Sequence, residues 1–171
     1  MAVLHLHHYG APDGPPTLAI HGVTAHGERY RRLAQEAFPE RRWLAVDLRG
    51  HGRSTWDAPW TVERHVADLL ETLDAVGAER VAVVGHSYGG MIGLHLLAAA
   101  PERVTRLALL DPAIELPGAW TPRLTDETIE DAGWATPEEA LAKRLEGRVP
   151  QSVADATEDV KRHLYEAPDG R

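Results

Sequence analysis

The sequence predicts an α/β fold, a mostly parallel sheet with helices on both faces. Short apolar runs alternate with segments of helical periodicity, the pattern of strands joined by covering helices. Three of those runs end in glycine-bearing loops, which places three loops at the carboxyl edge of one sheet, where open α/β folds carry their sites. The third observation is local. Val81-Ala82-Val83-Val84 leads through Gly85-His86-Ser87-Tyr88-Gly89-Gly90 into an apolar stretch over residues 91–100, in the order strand, tight turn, helix.

Each element has its own signal. Residues 3–9 alternate as a strand, and residues 11–16 form a Pro/Gly turn. Thr17-Leu18-Ala19-Ile20 is a buried strand running into the polar loop His21-Gly22-Val23-Thr24-Ala25-His26-Gly27. Residues 28–37 read as a helix ended by Pro39. Trp43-Leu44-Ala45-Val46 is the next strand and runs into Asp47-Leu48-Arg49-Gly50-His51-Gly52-Arg53-Ser54. Val62, Val66, Leu69, Leu70, Leu73 and Val76 recur at helical spacing up to Gly77. Residues 106–110 form a strand closed by Asp111-Pro112. Near Pro117 acidic residues rise and β-branched runs disappear, so residues 1–116 form a core and residues 117–171 a second segment. That segment reads as helices over 125–133, 137–147 and 153–165, broken by Pro122, Pro137, Pro150 and Pro168.

Ser87 carries the chemical argument. At Gly85 and Gly89 a Cβ would collide as the chain reverses from strand into helix. The helix that follows offers unpaired N–H groups and a positive dipole end to a developing oxyanion. This is the context of a nucleophile elbow. The plainer reading is a glycine-rich turn whose serine caps a helix.

Together the His-Gly loop, the Asp-Leu-Arg-Gly-His-Gly-Arg-Ser segment and the Gly-His-Ser-Tyr-Gly-Gly turn resemble the α/β-hydrolase superfamily, in the family's order and at similar intervals. The resemblance implies an α/β-hydrolase fold truncated after the family's sixth strand and followed by a helical cap. It implies Ser87 as nucleophile and the backbone N–H groups of Val23 and Tyr88 as the oxyanion hole. The expected activity is that of a serine hydrolase cleaving an ester or related acyl bond through an acyl-enzyme. Carbon–carbon bond hydrolysis, haloperoxidase-type activity and lactone opening use the same triad.

The family's triad runs Ser, acid, His, and the last two come from loops after later strands. No further strand is evident after Asp111, so the histidine and the acid are expected from a complementary C-terminal polypeptide segment. Asp111 is an alternative acid, set against a strand-ending Asp that caps local N–H groups. Ten histidines are present, and none suits the role of base. His86 points away from its neighbour Ser87 and is expected in packing, and His21 is expected to orient its loop. His51 sits in a glycine-flanked turn, His95 lies in the following helix, and His26, in the His-Gly loop, is the most plausible of the histidines to visit the pocket. His21, Gly22, His26, Met91, Trp120 and Trp134 are candidate substrate contacts. For Met91, Trp120, Trp134 and Tyr88 the plainer reading is packing of helix on sheet or cap on core.

Composition narrows the classes. Hydrophobic residues make up 43% and charged residues 26%, near the globular average, which excludes a disordered chain. A formal net charge of -8 without a Lys/Arg cluster argues against nucleic acid and anionic membrane surfaces as partners. The longest apolar stretch is too short to span a bilayer, no secretory signal opens the chain, and cysteine is absent; a cytoplasmic setting is the expectation. His5, His7 and His8 read as a solvated strand face with no carboxylate companion, so no metal is expected. The glycine-rich turn lacks a phosphate loop's lysine and a dinucleotide fingerprint, so no cofactor is expected. The expected partner is a small-molecule acyl substrate. The rival class is a non-catalytic module that binds a small ligand in the same pocket.

Overall fold

Five strands, β1 (Leu6–Gly10), β2 (Pro16–Ile20), β3 (Arg42–Val46), β4 (Val81–His86) and β5 (Val104–Leu110), form one sheet. Their order is β1-β3-β2-β4-β5. The computed structural model describes residues 3–114, 134–146 and 152–163. β1 runs antiparallel to β3, with His7 opposite Ala45, and the other pairings are parallel. The expected mostly parallel sheet is therefore present. The family's count makes Val104–Leu110 a sixth strand, whereas among the described residues it is the fifth. The chain separates into two compact units, Met1–Glu115 and Leu116–Arg171.

In the first unit the helices are α1 (Val62–Ala75) and α2 (Tyr88–Ala99). α1 begins where the Thr61 hydroxyl accepts the Arg64 N–H at 3.2 Å, an N-cap. Its Val66, Leu69 and Leu73 join Leu18, Ile20, Leu44 and Val46 of the sheet and Ile92 and Leu96 of α2 in one core cluster. Leu18, Leu69, Leu73, Ile92 and Leu96 are fully buried, each contributing roughly 1.5–3 kcal/mol by leaving water. A smaller cluster of Ala19, Tyr30, Ala34, Trp43 and Ala45 is separate from it.

Several boundaries differ from the sequence expectation. The helix expected over residues 28–37 is a 3-10 turn, Gly27–Tyr30, followed by a π turn, Leu33–Ala37. Tertiary ties explain the irregularity. The Tyr30 hydroxyl donates to the Ile20 carbonyl at 2.8 Å, and the Trp43 indole donates to the Phe38 carbonyl at 3.1 Å. Regular α geometry is displaced by these anchors. The strand expected over 3–9 is paired only from Leu6, and the helix after the tight turn begins at Tyr88 rather than at Met91.

β5 is the last strand of the described sheet, and its Leu109 and Leu110 are exposed. In the second unit α3 (Pro137–Glu146) and α4 (Val153–His163) pack on each other, with Ala140 and Ala156 buried and Arg144 paired to Asp159. The expected helix over 125–133 and Trp120 lie outside the described residues, and Trp134 is half-buried in the second unit. No described helix is long and apolar enough to cross a membrane.

A buried ion pair fastens the loop after β3 to α1. Arg49 Nε donates to Asp68 Oδ2 at 2.6 Å and Arg49 Nη2 to Oδ1 at 3.0 Å, while Arg64 Nε reaches Oδ1 at 2.9 Å. Asp68 is fully buried, so removing its carboxylate strands the Arg49 charge inside the protein. Asp68→Ala is expected to cost about 3–5 kcal/mol of unfolding free energy. Urea denaturation of the full chain measures this, and a loss below about 1 kcal/mol would contradict the clamp.

Candidate active site

The turn between β4 and α2 places Ser87 in an unusual backbone conformation, φ 51 and ψ -118. A positive φ is sterically costly for a residue with a Cβ and persists only where surroundings enforce it. Here they do. Ser87 N–H donates to the Leu110 carbonyl at 2.9 Å, and the Ser87 carbonyl accepts from Gly90 N–H at 2.9 Å and Ala113 N–H at 3.0 Å. The flanking glycines are required by contact. A Cβ on Gly85 would lie 2.5 Å from the Gly89 carbonyl oxygen, and one on Gly89 would lie 2.2 Å from that of Ile20. The steric expectation for these two positions holds.

The Ser87 side chain does not cap α2, and among the described residues its hydroxyl is not hydrogen-bonded to any protein group. Ser87 is half-buried. Tyr88 is the first residue of α2, so its N–H has no carbonyl one turn back within the helix. The loop after β2 comes close on the other side: a Cβ on Gly22 would stand 3.3 Å from Ser87 Cβ and 3.1 Å from His86 Nδ1. Gly22 therefore passes against the turn at contact distance. The Val23 side chain is exposed.

His21 orients this loop. Its Nδ1–H donates to the Gly22 carbonyl at 2.7 Å, and its Nε2 accepts the Leu48 N–H at 3.0 Å. The ring is buried, and both nitrogens have backbone partners. Burial first, then the neighbouring His51, pushes its pKa down to about 4. His51 adds a second tie that the sequence reading passed over. Its Nε2 faces the Val23 carbonyl and its Nδ1 stands 3.1 Å from the Arg49 carbonyl, the neutral ring donating to one of the two, and the ring lies 4.9 Å from that of His21. The signal for it was the glycine on either side, which lets the turn fold back on the neighbouring loop.

The remaining candidates fall as follows. Asp111 directly follows Leu110, whose carbonyl takes the Ser87 N–H; it has φ 46 and an exposed side chain. His86, expected in packing, is exposed instead, because it is the last residue of β4 and lies where the chain leaves the sheet. His26 is half-buried at the entry of the 3-10 turn. Met91 packs on the main core cluster, as does Tyr88, whose ring meets buried His65 edge-on at 5.6 Å. Burial and then His51 push His65 down to about 4.

The carboxylate absent from the sequence reading of the histidine strand is also present. Asp47 Oδ1 accepts His7 Nε2–H at 3.0 Å and Gly27 N–H at 2.7 Å, and Oδ2 accepts Arg53 N–H at 3.0 Å. Burial pushes the Asp47 carboxyl upward, but these three donors outweigh it and hold the group well below the usual carboxylate range. His5 and His7 are thus half-buried beside an acid rather than solvated alone, because antiparallel pairing lays β1 against the end of β3.

A strained serine at a strand–helix turn, faced by a His-Gly loop, defines the class. The sequence profile described as alpha/beta hydrolase fold matches residues 15–166, and the chain belongs to that family. It is 44% identical over 172 residues to the lipase LipV of Mycobacterium tuberculosis, an alignment covering 98% of this chain and 64% of that protein. A serine hydrolase-like protein of Homo sapiens is 30% identical over 111 residues, 63% of this chain and 55% of that one. Among solved structures, a hypothetical protein of Pseudomonas aeruginosa superposes with a TM-score of 0.75 at 30% identity, over 98% of this chain and 64% of that one. The chain thus spans less than two thirds of the length of each of these three relatives.

The buried, neutral His21 makes stability pH-dependent. Its pKa is about 4 in the folded chain against 6.5 as the ordinary value. Below 6.5 the unfolded chain binds a proton that the folded chain refuses, so stability is full above that pH and falls as pH drops towards 4. The share from His21 is on the order of 3 kcal/mol. Denaturant melts at pH 7.5 and 4.5 are expected to show the decline, and a His21→Gln chain to lose less between the two. An equal loss in both chains would contradict it.

Proposed function

We propose that the protein is a serine hydrolase that cleaves an ester or related acyl bond through an acyl-enzyme on Ser87. The observation that carries this reading is the φ of 51 at Ser87, a strained backbone whose hydroxyl serves no cap. In the proposed reaction Ser87 Oγ attacks the substrate carbonyl while a histidine removes its proton. The Val23 and Tyr88 N–H groups receive the oxyanion. Collapse expels the alcohol, protonated by the same histidine, and water then hydrolyses the acyl-enzyme.

The lipase name of the Mycobacterium tuberculosis relative supports an acyl ester as the substrate class. Among the described residues no histidine ring is bonded to the Ser87 hydroxyl, and His7, His21 and His51 have ring partners elsewhere. The proton acceptor is accordingly assigned to a complementary C-terminal segment, with Asp111 as an alternative acid. A fluorophosphonate probe tests the reading on the protein together with any polypeptide that co-purifies with it. One adduct at Ser87 is expected, abolished in Ser87→Ala, with ester turnover falling by on the order of 10³-fold or more. Val23→Ala keeps its N–H and is expected to stay within about tenfold of the parent. Absence of any adduct would favour a ligand-binding module, and labelling that persists in Ser87→Ala would move the nucleophile away from Ser87.

A further inference from the structure

We propose that His5, His7 and Asp47 form a binding site for a divalent transition metal of the zinc class, apart from the Ser87 chemistry. His5 and His7 stand two residues apart on the N-terminal segment, so their side chains share a face. Their rings meet edge-on at 4.7 Å. One ligand atom from each of His5, His7 and Asp47 lies within 4.8 Å of the other two. Ligands about 2.0–2.1 Å from a tetrahedral zinc stand roughly 3.3 Å apart. His7 Nε2 and Asp47 Oδ1, at 3.0 Å, already have that spacing. The His5 ring closes the remainder by a swing of about 1–1.5 Å, within the reach of a half-buried side chain at this ligand spacing.

The surroundings have the character of a metal's outer shell. When His7 ligates through Nε2, its Nδ1–H faces Glu28, whose Oε1 is 3.6 Å away. That is the carboxylate–histidine–metal arrangement, which fixes the tautomer and raises ligand basicity. Asp47 is held in place by the Gly27 and Arg53 N–H groups, leaving lone pairs on both oxygens. Two imidazoles and one carboxylate suit zinc, nickel, cobalt and copper, and the chain has no cysteine to draw a softer ion. On binding, the ring proton of neutral His7 passes by tautomer exchange from Nε2 to Nδ1, on the Glu28 side, and the metal takes its place as the link between His7 and Asp47. The bound ion thereby clips β1 to the loop after β3. None of these residues belongs to the proposed acyl-transfer machinery, so the site stands or falls independently of it.

Calorimetric titration of the chelator-treated full chain with Zn(II) tests this, together with Co(II) visible absorption for tetrahedral coordination. Saturable 1:1 binding is expected, with a rise in melting temperature of about 5 °C at saturating metal. His5→Ala and His7→Gln are each expected to weaken binding at least tenfold; the glutamine keeps a donor to Asp47, and circular dichroism verifies folding. His8→Ala, an exposed neighbour, is expected to bind as the parent does. No saturable binding, or equal affinity in His5→Ala, His7→Gln and the parent, would overturn the proposal and leave His7–Asp47 as a hydrogen-bonded staple.

Discussion

The site depends on one reversal of the chain, at Ser87, which only a crowded and side-chain-poor environment sustains. A positive φ at a serine stores on the order of 1–3 kcal/mol. Against this stand a backbone bond to β5, the Gly90, Met91 and Ala113 N–H groups on the Ser87 carbonyl, and the close packing of Gly85 against Gly89 and of Gly89 against the end of β2. The strain is therefore shared between three adjacent strands rather than confined to one loop. Because α2 starts at the next residue, the same reversal also aims the helix's unpaired N–H groups.

The facing loops are built differently, from polar side chains rather than from steric need. His21 uses both ring nitrogens to join the loop after β2 to the loop after β3, and the His51 ring stands between the Val23 and Arg49 carbonyls of the same two loops. Arg49 in turn is clamped to Asp68 of α1, deep in the protein. Position at the Gly22-Val23 backbone is thus linked to α1 through a chain of polar contacts, buried at Arg49–Asp68 and His21 and more open at His51. Such contacts are strong only when every member is satisfied, so the loops gain rigidity at the cost of tolerance to change.

Much of this was legible in the sequence. Apolar runs located β2, β3 and β4, and the spacing of Val62, Val66, Leu69 and Leu73 located α1, because burial on one face imposes periodicity. Gly85 and Gly89 announced the close approach that the structure contains, since no other residue lacks a Cβ. What stayed hidden were partnerships between residues far apart in the chain. His7 and Asp47 are separated by 40 positions, and only the antiparallel register of β1 on β3 brings them together. The split of residues 27–37 into a 3-10 turn and a π turn was illegible for the same reason: the Tyr30 and Trp43 anchors are tertiary, and local propensity does not encode them. His86 looked like a packing residue because its strand is apolar, yet it stands past the point where the sheet covers its side chains.

The Asp47 carboxylate has a consequence for how this scaffold tolerates recombination. It gathers the side chain of His7 and the backbones of Gly27 and Arg53 onto two oxygens. A chimera that imported any one of those segments from a homologue would face a carboxylate shaped for the other two. Substitutions in the segments around residues 5–9, 21–27 and 47–54 are therefore coupled through this one carboxylate rather than independent.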